Sequence, residues 1–319
     1  MKPFDVFLAV LVAVTWGLGF VASRLALDEL PPALMTALRF AIAAVPCLFV
    51  RRPNVSWPVL IAISSTLFLG QFLAQSWAIA DGVPVGLASV VVQSQALFTV
   101  AFAAAAFREF PAPLQITGIV IAAIGLLMIS GTVGFDFSVG AFAVLMIAPV
   151  SFAIGNLLLR QARDVPMFDL FAWLCLVPPL PLLALAFVID GPQETWRALA
   201  QMSPTGWTSM MFVGVISTSI AYWLWGRLLR DYTAAQVVPF VGAAASSVVF
   251  GETFGPLRLA GMVTVVGGIA VMLLSKRPPA LPEQALREQA LSKKILPKQI
   301  VSKKNPVQDS VSVTCRSRF

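Results

Sequence analysis

Long neutral runs broken by isolated charges set the pattern of the first 277 residues. Uncharged stretches of 28, 26, 26 and 23 residues separate Arg52 from Asp81, Asp81 from Arg108, Glu109 from Asp136, and Asp136 from Arg160. A helix that crosses a bilayer needs about 20 apolar residues. The pattern predicts ten such helices, at residues 4–23, 31–50, 57–80, 86–107, 112–131, 139–159, 167–189, 205–226, 234–250 and 255–275, named spans 1 to 10 in chain order. Lys2 before the first apolar run and the Ala22-Ser23 pair resemble a cleaved leader. Nine later spans and the acidic Asp5 favour a retained helix.

The hydrophobic pattern occurs twice. A motif of Glu, Pro, Leu and two glycines uses Glu109, Pro113, Leu114, Gly118 and Gly125, and returns as Glu252, Pro256, Leu257, Gly261 and Gly268, an offset of 143. Residues Trp16 to Arg24 align with Phe152 to Arg160 at an offset of 136, with Thr15 over Ser151. Residues Trp57 to Asp81 align with Trp207 to Asp231 at 150. Spans 1 to 5 therefore correspond to spans 6 to 10. Five is odd, so the second half enters the membrane from the opposite face, as in the inverted repeats of secondary transporters. The fold class that follows is an all-α membrane protein of ten transmembrane helices arranged as two inverted five-helix repeats. The first repeat is 1–134 and the second 135–277. Residues 278–319, rich in Lys, Gln, Ser and Pro with no run long enough to span, form a basic, disordered cytoplasmic tail. The offset drops from 150 at Asp81/Asp231 to 143 at Glu109/Glu252, so span 9 lacks seven residues relative to span 4. That leaves it just long enough to cross.

Composition agrees with the bilayer as solvent: 58% of residues are hydrophobic and 12% charged, about half the charge of a soluble domain. With the N-terminus inside, Lys2, Arg51, Arg52, Arg108, Arg160, Arg163, Arg227, Arg230, Lys276 and Arg277 are cytoplasmic, against Arg24, Arg197 and Arg258 outside. This asymmetry predicts both termini in the cytoplasm. The net charge of +7 then reads as topology and tail rather than as nucleic-acid binding. Cys47, Cys175 and Cys315 form no disulfide framework, and the chain has no histidine, which removes His-based zinc sites and the commonest general base. No metal, cofactor or catalytic set is expected. A membrane-embedded enzyme would need paired carboxylates or a nucleophile with its base, which this inventory does not offer.

Trp16-Gly17 with Phe20, Leu38-Arg39-Phe40, the run from Gly86 to Gln95, Gly155-Asn156, Trp225-Gly226 and the paired Glu motifs resemble the EamA family of the drug/metabolite transporter superfamily. Within it they look most like the O-acetylserine/cysteine exporter branch. The resemblance covers residues 1 to about 277. It implies ten helices, cytoplasmic termini, and export of small amino-acid metabolites across a bacterial inner membrane, with other amino acids, toxic analogues and small organic solutes as alternative cargo. The sequence leaves the oligomeric state open between monomer and homodimer.

Polarity at depth selects the candidate substrate-binding residues. Arg39 lies about 12 Å into span 2, where an unpaired guanidinium is costly. It either faces a central cavity and holds a substrate carboxylate, or it snorkels or pairs with a structural carboxylate or helix-end carbonyl. Gln71 and Gln75 share a face of span 3, whereas Gln93 and Gln95 point in different directions on span 4. Amides at such positions bind solutes or tie helices together. Asn156 and Tyr222 are polar where the first half has Phe20 and Phe72. Trp16 either lines the cavity or packs. Glu109 and Glu252, with Pro113 and Pro256, read as structural hinges in which a carboxylate caps the helix that follows.

Overall fold

The computed structural model describes residues 3–107, 111–134, 137–162, 165–225, 251–252 and 254–274. Span 9 with its seven-residue deficit, Glu109 and the 278–319 tail lie outside the described residues. Every regular element among the described residues is helical. Six helices are long and apolar enough to cross a membrane: Trp57–Ala80, Val85–Phe107, Pro113–Ser130, Val139–Leu159, Met167–Ile189 and Pro204–Trp225. Spans 1, 2 and 10 are helical with shorter apolar stretches, Leu11–Leu27, Pro32–Leu48 and Pro256–Met272. The count of ten is therefore not reached among the described residues, although the two-repeat architecture fits.

Local chemistry sets the helix ends. Pro32, Pro113, Pro204 and Pro256 stand at the first positions of spans 2, 5, 8 and 10, where the N–H that proline lacks would have no partner within the helix. Ser138 and Ser203 cap spans 6 and 8, their hydroxyls accepting from Ala141 N at 2.9 Å and Gly206 N at 3.1 Å. A further helix, Pro192–Ala200, lies in the connection between spans 7 and 8. It buries Thr195 and leaves Trp196 exposed beside Phe187. At nine residues it is too short to stand out in a search for spanning segments.

The two halves pack through contacts that the sequence offsets relate. Spans 5 and 10 meet through the motif glycines: a Cβ on Gly118 would lie 2.5 Å from the Gly268 carbonyl oxygen, and one on Gly125 2.5 Å from Val265 N. Gly118 pairs with Gly268 and Gly125 with Gly261, so the two helices run antiparallel. Small residues permit this approach of backbones. Span 6 lies on span 3 with Gly155 against Leu67, where a Cβ would come 2.8 Å from Leu67 N. Gly19 of span 1 lies against Ser217 of span 8 in the same way. Gly19 and Gly155 are related by the offset of 136, and Leu67 and Ser217 by 150.

Half-buried carboxylates add contacts between the halves. Glu252 accepts from Val85 N at 2.6 Å and Gly86 N at 2.8 Å at the start of span 4. The sequence reading had this carboxylate capping the helix that follows it, span 10. It instead caps a helix of the other half, and Gly251 just before it takes a φ of +63° that suits glycine. Glu29, after span 1, accepts from Ser203 N at 2.6 Å and Ser203 Oγ at 2.5 Å at the start of span 8. Arg258, counted from sequence as an outer-loop cation, is buried in the first turn of span 10. Its Nε donates to Thr132 Oγ1 at 3.1 Å and its Nη2 to the Thr132 carbonyl at 3.3 Å.

Candidate functional site

Helical regularity breaks within spans 3, 4, 7 and 8 and near the end of span 2. Span 3 contains a π-helical stretch, Ser65–Gly70, and span 8 another, Phe212–Ile220. The offset of 150 superimposes the first on the end of the second. Widened turns leave carbonyls short of partners, and hydroxyls supply them here. Thr218 Oγ1 donates to the Val213 carbonyl at 2.8 Å and Ser219 Oγ to that of Gly214 at 3.2 Å, each five residues back. Span 4 is interrupted at Ser94, between Gln93 and Gln95. Span 7 is interrupted between Cys175 and Pro179, and span 2 tightens to a 3-10 turn at Val45–Leu48. Each interruption in spans 2 and 7 coincides with proline, Pro46 and Pro178, which cannot continue the hydrogen-bond ladder. Such π segments and broken helices recur at functional sites, and in transporters they surround the substrate.

Arg39 stands among these interruptions. The residue is 5% exposed, and its Nε donates to Thr218 Oγ1 at 3.0 Å, on the π-helical stretch of span 8. Its guanidinium carbon lies 4.1 Å from the centre of the Phe72 ring. A guanidinium over an aromatic face gains cation–π attraction, strengthened where water is excluded. No ion pair to Arg39 exists among the described residues, and no described group hydrogen-bonds its two terminal nitrogens. Among the described residues its side-chain hydrogen bond goes to Thr218, and no described carboxylate or helix-end carbonyl meets it. One nitrogen is fixed, and the outer fork remains for an acceptor.

Aromatic rings wall this position. Phe40 stacks on Phe68 with centroids 5.0 Å apart, and Tyr222 contacts Phe68 at 5.4 Å and Phe171 at 4.9 Å. Trp16 meets Tyr222 at 5.6 Å and Trp225 at 5.2 Å. The indole Nε1 of Trp16 donates to the Ser217 carbonyl at 3.1 Å, so Trp16 and Arg39 are anchored on the same stretch of span 8. Three residues singled out in the sequence, Arg39, Trp16 and Tyr222, thus come together. Trp223, next to Tyr222 on span 8, is 46% exposed.

The amides divide. Gln71 and Gln75 are both buried in the part of span 3 that spans 1, 2, 4 and 6 touch. Gln71 is the chain neighbour of Phe72, and its Oε1 is buried without a hydrogen-bond partner among the described residues. A buried acceptor left unmade costs about 1–3 kcal/mol, so this oxygen is poised for a donor. Gln93 is half-buried beside the Ser94 break. Asn156 lies elsewhere: its Nδ2 donates to Thr99 Oγ1 at 3.3 Å and ties span 6 to span 4. Thr218, Phe72 and Phe171 were not singled out by sequence. The available signal for Thr218 was the Ser217-Thr218-Ser219 run, three hydroxyls in an apolar span.

The comparisons with known proteins agree with this architecture. The profile of the EamA-like transporter family matches residues 4–131 and 139–274. A "Probable amino-acid metabolite efflux pump" of Salmonella typhimurium is 34% identical over 290 residues, covering 87% of this chain and 97% of its own. A protein of the same description from Escherichia coli K12 is 31% identical over 290 residues with the same coverage. A "Probable terminal-alkyne amino-acid exporter" of Streptantibioticus cattleyicolor is 28% identical over 289 residues, covering 84% of this chain and 92% of its own. A solved crystal structure at 20% identity superposes with a TM-score of 0.60 over 82% of this chain and 95% of its own, a likeness of fold alone. With both halves matched by one family profile and relatives aligned along nearly their whole length, this multi-pass membrane protein belongs to the EamA-like transporter family.

Proposed function

We propose that the chain is a secondary transporter of the bacterial inner membrane that exports small, carboxylate-bearing amino-acid metabolites of the O-acetylserine and cysteine kind. The observation that carries this reading is Arg39, a buried guanidinium held at Nε by Thr218 and backed by Phe72, with its outer fork unoccupied by described protein groups. A planar fork of this kind takes a carboxylate through two parallel hydrogen bonds. Gln71 and Gln75 then offer the solute neutral partners, and Trp16 and Tyr222 pack against its apolar part. The descriptions of the Salmonella and E. coli relatives as amino-acid metabolite efflux pumps support the class of cargo. An E. coli relative described as an inner membrane transporter supports the compartment.

The topology we propose has ten spans, in repeats 1–134 and 135–277, with both termini and the 278–319 tail in the cytoplasm. The excess of Lys and Arg on that side supports it. Overproduction in cells should raise external O-acetylserine or cysteine and confer resistance to a toxic analogue. Cells that retain every amino-acid metabolite tested would overturn the cargo while leaving the family intact.

A further inference from the structure

The charge of the Arg39 site, with its surroundings, selects among solutes that all carry a carboxylate. Acidic residues in the ten spans are confined to Asp5 and Asp169, each in the first turn of its helix. Arg39 is the one base more than a turn away from a span end. The middle of the membrane therefore holds one fixed positive charge and no negative one.

A free amino acid brings two charges to this position. Its carboxylate meets the guanidinium, but its ammonium finds no acidic residue at mid-depth in any span, and it stands close to a second cation once bound. Removing an ammonium from water without an ionic partner is costly, and aromatic faces such as those of Trp16 and Tyr222 recover part of that cost. When the amine is capped as an amide, the charge and its penalty disappear. A single N–H remains, and the unpartnered Oε1 of Gln71 is a neutral acceptor matched to one such donor.

We infer that this site, on the reading that Arg39 receives the substrate carboxylate, takes its solute as a net anion and favours N-acylated amino acids over free ones. A monoanion carries charge outward, so an inside-negative membrane potential drives its export directly. No coupling ion is needed, in keeping with spans that hold no histidine and no acid at mid-depth.

The test uses the full-length protein in liposomes loaded with one of three solutes. N-acetylserine is an anion, its isomer O-acetylserine is a zwitterion, and N-acetylserinamide has no carboxylate. Efflux is timed at mildly acidic pH, which slows the O-to-N acyl shift, with and without an inside-negative potassium diffusion potential. N-acetylserine should leave about tenfold faster than O-acetylserine, reflecting the missing ammonium penalty. It should accelerate under the potential, while O-acetylserine does not. In Arg39→Gln the ratio between the isomers should fall toward one. Equal or faster efflux of O-acetylserine, or potential-insensitive efflux of N-acetylserine, overturns this inference and leaves the carboxylate reading standing. Transport of N-acetylserinamide as fast as N-acetylserine overturns the carboxylate reading itself.

Discussion

Glu29 holds both donors of Ser203, accepting from its backbone N–H at 2.6 Å and from its hydroxyl at 2.5 Å, and so fastens the connection after span 1 to the start of span 8. The Ser203 hydroxyl, followed by its N–H, holds the Glu29 carboxyl below its ordinary value of 4.5. A carboxylate with a depressed value stabilises the fold fully above the ordinary value, and that contribution is lost as the pH falls through the lower, folded value. Thermal unfolding in detergent as a function of pH should therefore show wild type above Glu29→Gln by a constant margin at neutral pH. The margin should shrink below about pH 4.5 as both side chains become neutral. A margin that does not change with pH would show that the carboxylate charge contributes nothing to this contact.

The glycine contact between spans 5 and 10 gives a sharper packing test. In Gly125→Ala the new methyl meets Val265 N and the Gly261 carbonyl, both backbone atoms that cannot move aside alone. Overpacking of this kind costs about 1–3 kcal/mol. Gly267→Ala on the same face-to-face pair of helices meets nothing within 4 Å and should be neutral or slightly stabilising. Equal melting temperatures for the two variants would contradict the packing described.

Thr218 should act through Arg39. Thr218→Val removes the acceptor at 3.0 Å, while Thr218→Ser keeps it. Hydrogen bonds to charged groups contribute about 1.5–3 kcal/mol, so the valine variant should raise KM for a carboxylate solute roughly tenfold or more. Serine should restore it. A fall in maximal flux with KM unchanged in both variants would indicate that Thr218 serves the π-helical stretch and not the solute.

Much of the fold was legible because a bilayer imposes length and neutrality, and the boundaries of spans 3, 6 and 7 follow from Asp81, Arg160 and Asp190 closing long neutral runs. The repeated glycines were legible as a match before their partners were known, since Gly118 and Gly261 align at the same offset as Gly125 and Gly268. What sequence could not supply was the partner of each polar group. Glu252 reaches Gly86, not its own following helix, because the two halves interleave. Asn156, read as a counterpart to Phe20, finds Thr99 on span 4, a contact set by how two distant helices cross. Arg39 stood out through its depth alone, whereas Thr218 did not, because a threonine in an apolar span is inexpensive when it bonds its own helix. The π-helical stretches that bring these groups together left no sequence signal of their own.

The most direct measurement is uptake or efflux of a carboxylate-bearing solute by liposomes containing equal amounts of folded wild type and Arg39→Gln. Gln keeps hydrogen-bond donors and loses the charge. Removing one member of a buried charge pair costs about 2–5 kcal/mol, so flux per molecule at limiting solute should fall by roughly thirtyfold or more, at unchanged abundance and melting temperature. Flux per molecule equal to wild type would contradict the assignment of Arg39 to the substrate carboxylate.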